Sequence, residues 1–196
     1  MVDAPPLTPA ARRVLDAASD LFYREGIHAV GVEAIAAAAG VTKKTLYDRF
    51  GSKDRLVAAY LRARDARWRT WLTEYVAARA GDPAAGLLHT FDALGEWIRA
   101  ENPRGCGFVN ALAELPDAEH PGRAIIAAQK RWLREELTAL ATAAGARDPQ
   151  ALAEQLLLLH EGATIAHGTA AAADPVGRAR AAAAVLVEHA VAAEGR

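Results

Sequence analysis

Four capping residues, each followed directly by proline, make helices the expected structure of this chain. The four pairs are Thr8-Pro9, Asp82-Pro83, Asp148-Pro149 and Asp174-Pro175. A hydroxyl or carboxylate before a helix accepts an orphan backbone N–H, and proline is tolerated in the first turn because its missing N–H would have no helical partner there. Strand signals are nearly absent, since valine and isoleucine are scattered among alanines and no Asn-Gly or Asp-Gly hairpin occurs. The sequence therefore predicts an all-α fold.

Periodicity and punctuation together predict about nine helices. The predicted ranges are Pro9 to Arg24, Val32–Ala39, Lys43–Phe50, Ser52 to Arg79, Pro83–Ala100, Gly107–Leu115, Gly122–Ala144, Pro149–Ala172 and Pro175–Ala193. Alanine is the best helix former, so we interpret the alanine-rich stretches as close-packed helices rather than disorder. We expect two domains, a three-helix N-terminal domain in residues 1–52 and a helical bundle in residues 53–196.

Composition narrows the function classes. The 196 residues carry a net charge of −1, so a nucleic-acid-binding surface would have to be local. The single cysteine, Cys106, excludes a disulfide framework or a cysteine-based zinc site within one chain and suits a reducing cytoplasm, where we expect the protein. We expect no membrane span, because no run of about 18 apolar residues lacks charges. The histidines show no metal-ligand spacing and phosphate-binding glycine loops are absent, so we expect no metal and no cofactor.

The clearest motif lies in residues 31–56, GVEAIAAAAGVTKKTLYDRFGSKDRL. Gly40 can take a positive φ and end the first short helix, and Thr42 can cap the second. Leu46 and Phe50 are four residues apart, so they point inward together and hold the second helix on the first. Two short helices joined by a tight glycine turn form a helix-turn-helix, whose second helix enters the major groove of DNA.

Local charge supports this interpretation. Between Thr42 and Leu56, five basic residues face two acidic ones, a local charge of +3 that can displace counterions from phosphates. The outward positions that can reach base edges are Lys43, Lys44, Thr45 and Asp48. Phosphates repel a carboxylate in a DNA groove. Asp48 therefore either accepts from a cytosine amino group or pairs with Arg49 or a neighbouring lysine.

The stretch VLDAASDLFYREGIHAVGVEAIAAAAGVTKKTLYDRFGSKDRLVAAYL resembles the N-terminal domain of the TetR/AcrR family of one-component repressors. The resemblance covers about Arg13 to Leu61 and includes the Ile-Ala-x-x-Ala-Gly-Val, Thr-Leu-Tyr and Phe-x-Ser-Lys elements at their expected spacing. Tyr47 and Lys53 would be phosphate contacts by analogy. Many relatives carry glycine at the position of Lys44 and histidine or an aromatic residue at Asp48, so the operator sequence does not transfer. The DNA-facing positions that the resemblance implies are Thr42, Lys43, Lys44, Thr45, Tyr47, Asp48 and Lys53.

The remaining chain should then form a ligand-binding and dimerisation domain. The segment Arg104–Leu137 resembles a family subtype with a Gly-Cys-x-Phe-x-Asn motif. A pocket in such a helical bundle should be mostly apolar with a few polar anchors. The alternative is that each aromatic residue is simply part of the core. Cys106 is either a packing or pocket residue or a redox- or metal-responsive thiol. The candidate ligand-binding residues are Trp68, Trp71, Phe91, Trp97, Phe108, Asn110, Trp132, His160 and Glu161.

The resemblance also assigns dimerisation to the last two helices. One apolar stripe contains Leu152, Leu156, Leu159 and Ala163, and the other contains Ala182, Val185, Leu186 and His189. Two helices from each subunit would form a four-helix interface, and an intramolecular core is the alternative.

The function we expect is a ligand-responsive homodimeric repressor that binds a pseudo-palindromic operator in double-stranded DNA. A small-molecule effector of unknown identity would release it. An activator, or a regulator without a ligand, stays open, whereas an all-α carrier or enzyme would need a catalytic cluster that the sequence does not contain.

Overall fold

A computed structural model describes residues 7–79, 81–101 and 104–192 of the chain. Within these ranges all regular secondary structure is helical, which confirms the all-α prediction. None of the described helices has the length and hydropathy needed to cross a bilayer. Residues 1–6 and 193–196, at the outer ends of the two predicted domains, lie outside the described residues. The nine helices of the described part are α1 (Pro9–Glu25), α2 (Val32–Ala38), α3 (Lys43–Phe50), α4 (Lys53–Ala77), α5 (Pro83–Glu101), α6 (Gly107–Glu114), α7 (Pro121–Ala143), α8 (Pro149–Gly168) and α9 (Pro175–Val191).

The four predicted caps form as expected. Thr8, Asp148 and Asp174 each accept the backbone N–H three residues ahead, at 3.3, 3.0 and 3.0 Å. Asp82 accepts the N–H of Ala84 at 3.0 Å. The helices α1, α5, α8 and α9 consequently all begin at the proline that follows the capping residue.

The chain folds into two compact units. The first unit comprises the chain up to Asp65 together with Gly107–Ala127, and the second comprises Ala66–Cys106 together with the chain from Ala128 onward. The division predicted between residues 52 and 53 differs from this arrangement. The helix α4 runs unbroken past that point, and its first turns contribute the fully buried Leu56 and Leu61 to the first unit. Apolar burial, rather than the start of a helix, sets the limit of this unit.

The first unit is built around α1, α2 and α3. Val14, Ile35 and Leu46, one from each helix, are completely buried. The ring centroids of Phe22 on α1 and Tyr60 on α4 lie 5.9 Å apart, so α4 packs into the same core. This apolar centre fixes the orientation of α3 and hence of its outward face.

The second unit has its own core, to which α5 contributes most. Phe91 and Ile98 of α5 pack with Leu156 of α8 and Val187 of α9 in one buried cluster. The rings of Trp68 and Trp97 meet edge to face with centroids 5.4 Å apart. Several of the aromatic residues that the sequence offered as pocket candidates are therefore core residues as well.

The predicted dimerisation stripe on α8 turns out to face inward. Leu152, Leu156 and Ala163 are buried in the core of the second unit, so the intramolecular alternative holds for these residues. They were mispredicted because a helical stripe shows which face is apolar but not what covers it. On α9, Ala182, Val185 and His189 are exposed, and Leu186 is half-buried.

Candidate nucleic-acid interface and ligand-binding core

The helices α2 and α3 form the predicted helix-turn-helix. Gly40 has a φ of +62° in the turn between them, a conformation that side chains other than glycine rarely adopt. The N–H of Val41 bonds back to the carbonyl of Ala36 at 3.0 Å and closes the end of α2. The Oγ1 of Thr42 accepts the N–H of Thr45 at 3.1 Å and caps α3. Each predicted feature of the turn is present.

The exposed face of α3 carries most of the predicted DNA-facing residues. Leu46 points into the core and Phe50 is half-buried, which leaves the opposite face to solvent. Thr45 is half-buried, and its hydroxyl lies 2.9 Å from that of Thr42. The exposed residues of the set are Thr42, Lys43, Lys44, Tyr47 and Asp48.

Two lysines of this face are paired with carboxylates. Lys43 bonds to Glu33 at the start of α2, and this bond lowers the pKa of Glu33 and raises the pKa of Lys43. The Nζ of Lys44 lies 2.7 Å from the Oδ2 of Asp48, one turn along α3. The sequence left open whether Asp48 pairs with a base or with a neighbouring cation, and in the free protein it pairs with Lys44.

Lys53, the remaining predicted contact, lies in the first turn of α4. Its side chain is half-buried, and its Nζ is 6.0 Å from the centroid of the Phe22 ring. The Oγ of Ser52 accepts the N–H of Arg55 at 3.1 Å and caps this helix. Lys53 therefore extends from a rigid helix start that also presents backbone N–H groups, the usual setting for a phosphate contact.

The helix α6 supports the helix-turn-helix within the first unit. The Oε2 of Glu114 accepts the backbone N–H of His28 at 2.8 Å, in the turn between α1 and α2. The guanidinium of Arg64 stacks 4.4 Å from the Tyr23 ring centroid. Glu114 and Arg64 are not among the residues predicted from the sequence, and no local signal could have identified them, since the contact of Glu114 with His28 spans 86 positions.

Two predicted ligand-binding residues belong to the first unit. Phe108 is buried on α6, and Asn110 borders a cavity of about 10 Å³ that includes Tyr23 and Tyr60 in its lining. That volume accommodates about one water molecule rather than a ligand. The prediction separated α6 from the N-terminal helices, whereas apolar packing joins them. The other seven candidates lie in the second unit.

The tryptophan side chains of the second unit make several defined contacts. The Nε1 of Trp71 donates to the carbonyl of Ala93 at 3.1 Å, and the Trp71 and Trp97 ring centroids are 6.5 Å apart. The guanidinium of Arg69 lies 4.8 Å from the Trp132 ring centroid, which places α4 beside α7 at this level.

Among the described residues of the second unit, two buried polar side-chain atoms lack hydrogen-bond partners. They are the Nε1 of Trp68 and the Oε1 of Gln129. Both residues are more than nine-tenths buried. Trp68 adjoins Arg69, and Gln129 lies one turn before Trp132, so both are within a turn of the contact between α4 and α7. Gln129 was absent from the predicted site, because a glutamine in an amphipathic helix gives no sign of being buried.

His160 and Glu161 have defined partners. Burial and the nearby charge of Lys130 lower the pKa of His160 to about 3, so its ring is neutral at physiological pH. The carboxylate of Glu161 binds the Nζ of Lys130 at 2.6 and 2.8 Å. That Nζ is also 3.8 Å from the Sγ of Cys106. Neither predicted anchor presents an unpaired charge.

A larger cavity, of about 460 Å³, lies elsewhere in the second unit. Its wall combines apolar side chains with paired polar and charged ones: Arg180 binds Asp92 at 2.7 Å, and the hydroxyl of Tyr75 donates to Glu96 at 2.9 Å. Burial, followed by the hydrogen bond and charge of Glu96, raises the pKa of Tyr75. Phe91 alone among the predicted ligand-binding residues lines this cavity.

Comparison with known proteins assigns the chain to a family. Residues 14–60 match the sequence profile of bacterial regulatory proteins of the TetR family. A TetR transcriptional regulator from Streptomyces avermitilis is 32% identical and has a TM-score of 0.80, over 94% of this chain and 98% of that chain. This chain belongs to the TetR family. The family resemblance predicted from residues 13–61 is confirmed.

Two further relatives agree with this assignment. SCO4454, a TetR-family transcriptional regulator from Streptomyces coelicolor, has a TM-score of 0.86 and 29% identity, over 94% of this chain and 91% of that chain. An uncharacterised HTH-type transcriptional regulator from Mycobacterium tuberculosis is 30% identical over 119 residues, which span 61% of this chain and 58% of the relative. The protein is thus a TetR-family transcriptional regulator and not an enzyme.

Proposed function

We propose that this regulator is a homodimeric, ligand-responsive repressor, which binds a pseudo-palindromic operator in the cytoplasm and is released by a small, largely apolar effector. The observation that carries operator binding is the exposed, charged face of α3 on a rigid turn. The surface of a helix that presents lysines, a carboxylate and hydroxyls can follow the edges of bases in the major groove.

One helix-turn-helix covers only a half-site of the operator. High-affinity binding therefore requires a second helix-turn-helix, about 34 Å away, on the other half-site. Large apolar side chains exposed on the last two helices support a dimer. Leu158 and Ile165 of α8 are 72% and 47% exposed, and Val185 of α9 is 66% exposed. Leu158 and Ile165 are seven residues apart and therefore share one face of α8. A second copy of this chain, placing the same helices against them, would bury this apolar surface.

The unpaired atoms of Trp68 and Gln129 support an effector site in the second unit. An unpaired buried polar group costs about 1–3 kcal/mol, which a ligand recovers when it supplies the missing hydrogen bond. Trp68 is part of α4, whose first turns are buried in the first unit. An effector beside Trp68 would shift α4 and favour a state in which the two α3 helices no longer match their half-sites.

The dimer is tested by the mass in solution. Leu158→Glu and Val185→Glu should convert a dimer to a monomer in sedimentation equilibrium. Leu112→Glu is the matched control, because Leu112 is an exposed leucine on α6 of the first unit. A wild-type protein that sediments as a monomer at micromolar concentration would contradict the proposal.

Operator binding is tested by titrating the protein against duplex DNA at several salt concentrations. We expect a sequence-preferring complex whose affinity falls steeply with salt, because lysines displace condensed counterions. Lys43→Ala and Tyr47→Phe should both weaken it. Binding of every duplex with equal affinity would contradict the proposal. A deletion strain then separates repressor from activator, since only loss of a repressor raises transcription of the target.

A further inference from the structure

We propose that Lys44 and Asp48 act together as one reading unit that selects a C·G base pair in each operator half-site. The inference rests on the proposed insertion of α3 into the major groove. It specifies which base pair α3 prefers and which two side chains determine that preference.

The two side chains share one face of α3. At about 100° per residue, positions 44 and 48 are separated by about 40° around the helix, and position 46 lies about 160° from both. Leu46 is completely buried. The Lys44 and Asp48 side chains accordingly point away from the protein, at 83% and 56% exposure, and their charged atoms lie 2.7 Å apart.

Neighbouring side chains are engaged in other contacts. Lys43 is bound to Glu33 on α2. The hydroxyl of Thr45 lies against that of Thr42 at the helix start. The contact between Lys44 and Asp48, by contrast, stays on the outward face of α3.

Pairing with Lys44 lowers the electrostatic cost of placing the Asp48 carboxylate in the major groove. A lone carboxylate would be repelled by the phosphates on both sides of the groove, and it would lose its hydration on entry. Lys44 neutralises the charge of Asp48, so the pair enters the groove without net charge. A neutral unit adds little to counterion release, and its contribution should appear as base preference rather than as salt dependence.

The donor and acceptor of the pair match the edge of a C·G pair. Lysine only donates, and an ionised aspartate only accepts. Guanine presents two acceptors, O6 and N7, for Lys44, and cytosine presents the N4 amino group for Asp48. In an A·T pair the adenine amino group lies between two acceptors, N7 and O4, so a carboxylate that accepts from it is repelled from both sides, and the thymine methyl group lies beside O4. The ordered donor and acceptor of the protein therefore favour C·G.

The test is selection of binding sites from a randomised duplex pool by the full-length protein. Wild type should enrich C·G at one position of each half-site, by about 5- to 150-fold over A·T. The D48N variant keeps the shape of the side chain but presents an amide, which pairs best with adenine N6 and N7. It should enrich A·T at that same position and leave the rest of the selected sequence unchanged.

Asp54→Asn is the matched control. Asp54 is an exposed carboxylate in the first turn of α4, so its removal changes the local charge by the same amount without altering α3. The D54N variant should select the wild-type sequence. A D48N variant that selects the wild-type sequence would overturn the inference, because Asp48 would then contribute nothing to the base preference. Failure of wild type to select any sequence would instead overturn operator binding itself.

Discussion

The Nε2 atom of His160 lies 3.1 Å from the hydroxyl oxygen of Thr90, with both side chains buried in the second unit. The hydroxyl of Thr90 donates its own hydrogen bond to the carbonyl of Leu87, at 2.6 Å. Because the hydroxyl can then only accept from the ring, the contact assigns the Nε2–H tautomer to a neutral His160. The Phe91 ring, 4.3 Å away between centroids, covers the imidazole.

This arrangement predicts that acid destabilises the second unit. The pKa of His160 falls from its ordinary value of 6.5 to about 3 on folding. Between those values the unfolded chain binds more protons than the folded chain, so the free energy of unfolding decreases as pH falls below 6.5, by up to about 1.4 kcal/mol per pH unit. At pH 5 the loss amounts to about 2 kcal/mol.

Urea unfolding of wild type and His160→Gln between pH 7.5 and pH 5 measures the effect. The variant should be less stable at pH 7.5 but should lack the part of the pH dependence that comes from His160. The remaining titratable groups are common to both proteins and cancel in the difference. Parallel curves for the two proteins would show that His160 is protonated in the folded state.

Sequence reasoning succeeded where the information is local. The capping of α3 by Thr42 and the turn at Gly40 depend on residues within a few positions, and both are present. It failed where the partner is distant. Glu114 contacts His28 across 86 positions, and the inward face of α8 is covered by helices whose placement no periodicity reveals. The same limit explains why Gln129 was missed and why the packing of Phe108 in the first unit was not foreseen.

A second prediction concerns the close contact between Gly107 and Arg64. A Cβ on Gly107 would lie 2.7 Å from the Nε of Arg64 and 3.2 Å from its Cδ. Arg64 is buried and stacked on Tyr23, so it cannot move without losing that contact. We expect Gly107→Ala to lower the free energy of unfolding by about 1–3 kcal/mol.

Gly86→Ala is the control for this substitution. Gly86 is also buried in a helix, but its Cβ would meet the nearest atom, on Leu140, at an ordinary 3.5 Å. Alanine favours the helix by up to about 1 kcal/mol, so Gly86→Ala should be neutral or stabilising. Urea titration of both variants provides the comparison, and equal stability of the two would refute the role assigned to Arg64.

A third prediction follows from the unpaired side-chain oxygen of Gln129. Methionine has nearly the same shape without the polar atom, so Gln129→Met removes a buried acceptor that costs about 1–3 kcal/mol while it is unpaired. The ligand-free variant should therefore melt at a higher temperature than wild type. Gln150→Met, at an exposed position near the start of α8, should leave the melting temperature unchanged. A lower melting temperature for Gln129→Met would mean that a buried water already satisfies the amide.

The fourth prediction concerns the hydrogen bond that attaches the turn between α1 and α2 to α6. The carboxylate of Glu114 accepts the His28 N–H at 2.8 Å and lies 3.5 Å from the ring Nδ1 of His28. Glu114→Ala deletes the acceptor, whereas Glu114→Gln keeps an oxygen at the same position without the charge. Because the site is partly exposed, we expect Glu114→Ala to cost only about 1 kcal/mol of stability, and Glu114→Gln to cost less.

Hydrogen exchange of the His28 amide separates a local effect from a global one. In Glu114→Ala the His28 amide should exchange faster than in wild type. Amides in the middle of α4 should slow or speed only as far as the change in the global free energy of unfolding requires. Glu114→Gln should restore most of the protection at His28. If the His28 amide exchanges at the same rate in all three proteins, the bond does not hold this turn, and α6 supports the helix-turn-helix through apolar contacts alone.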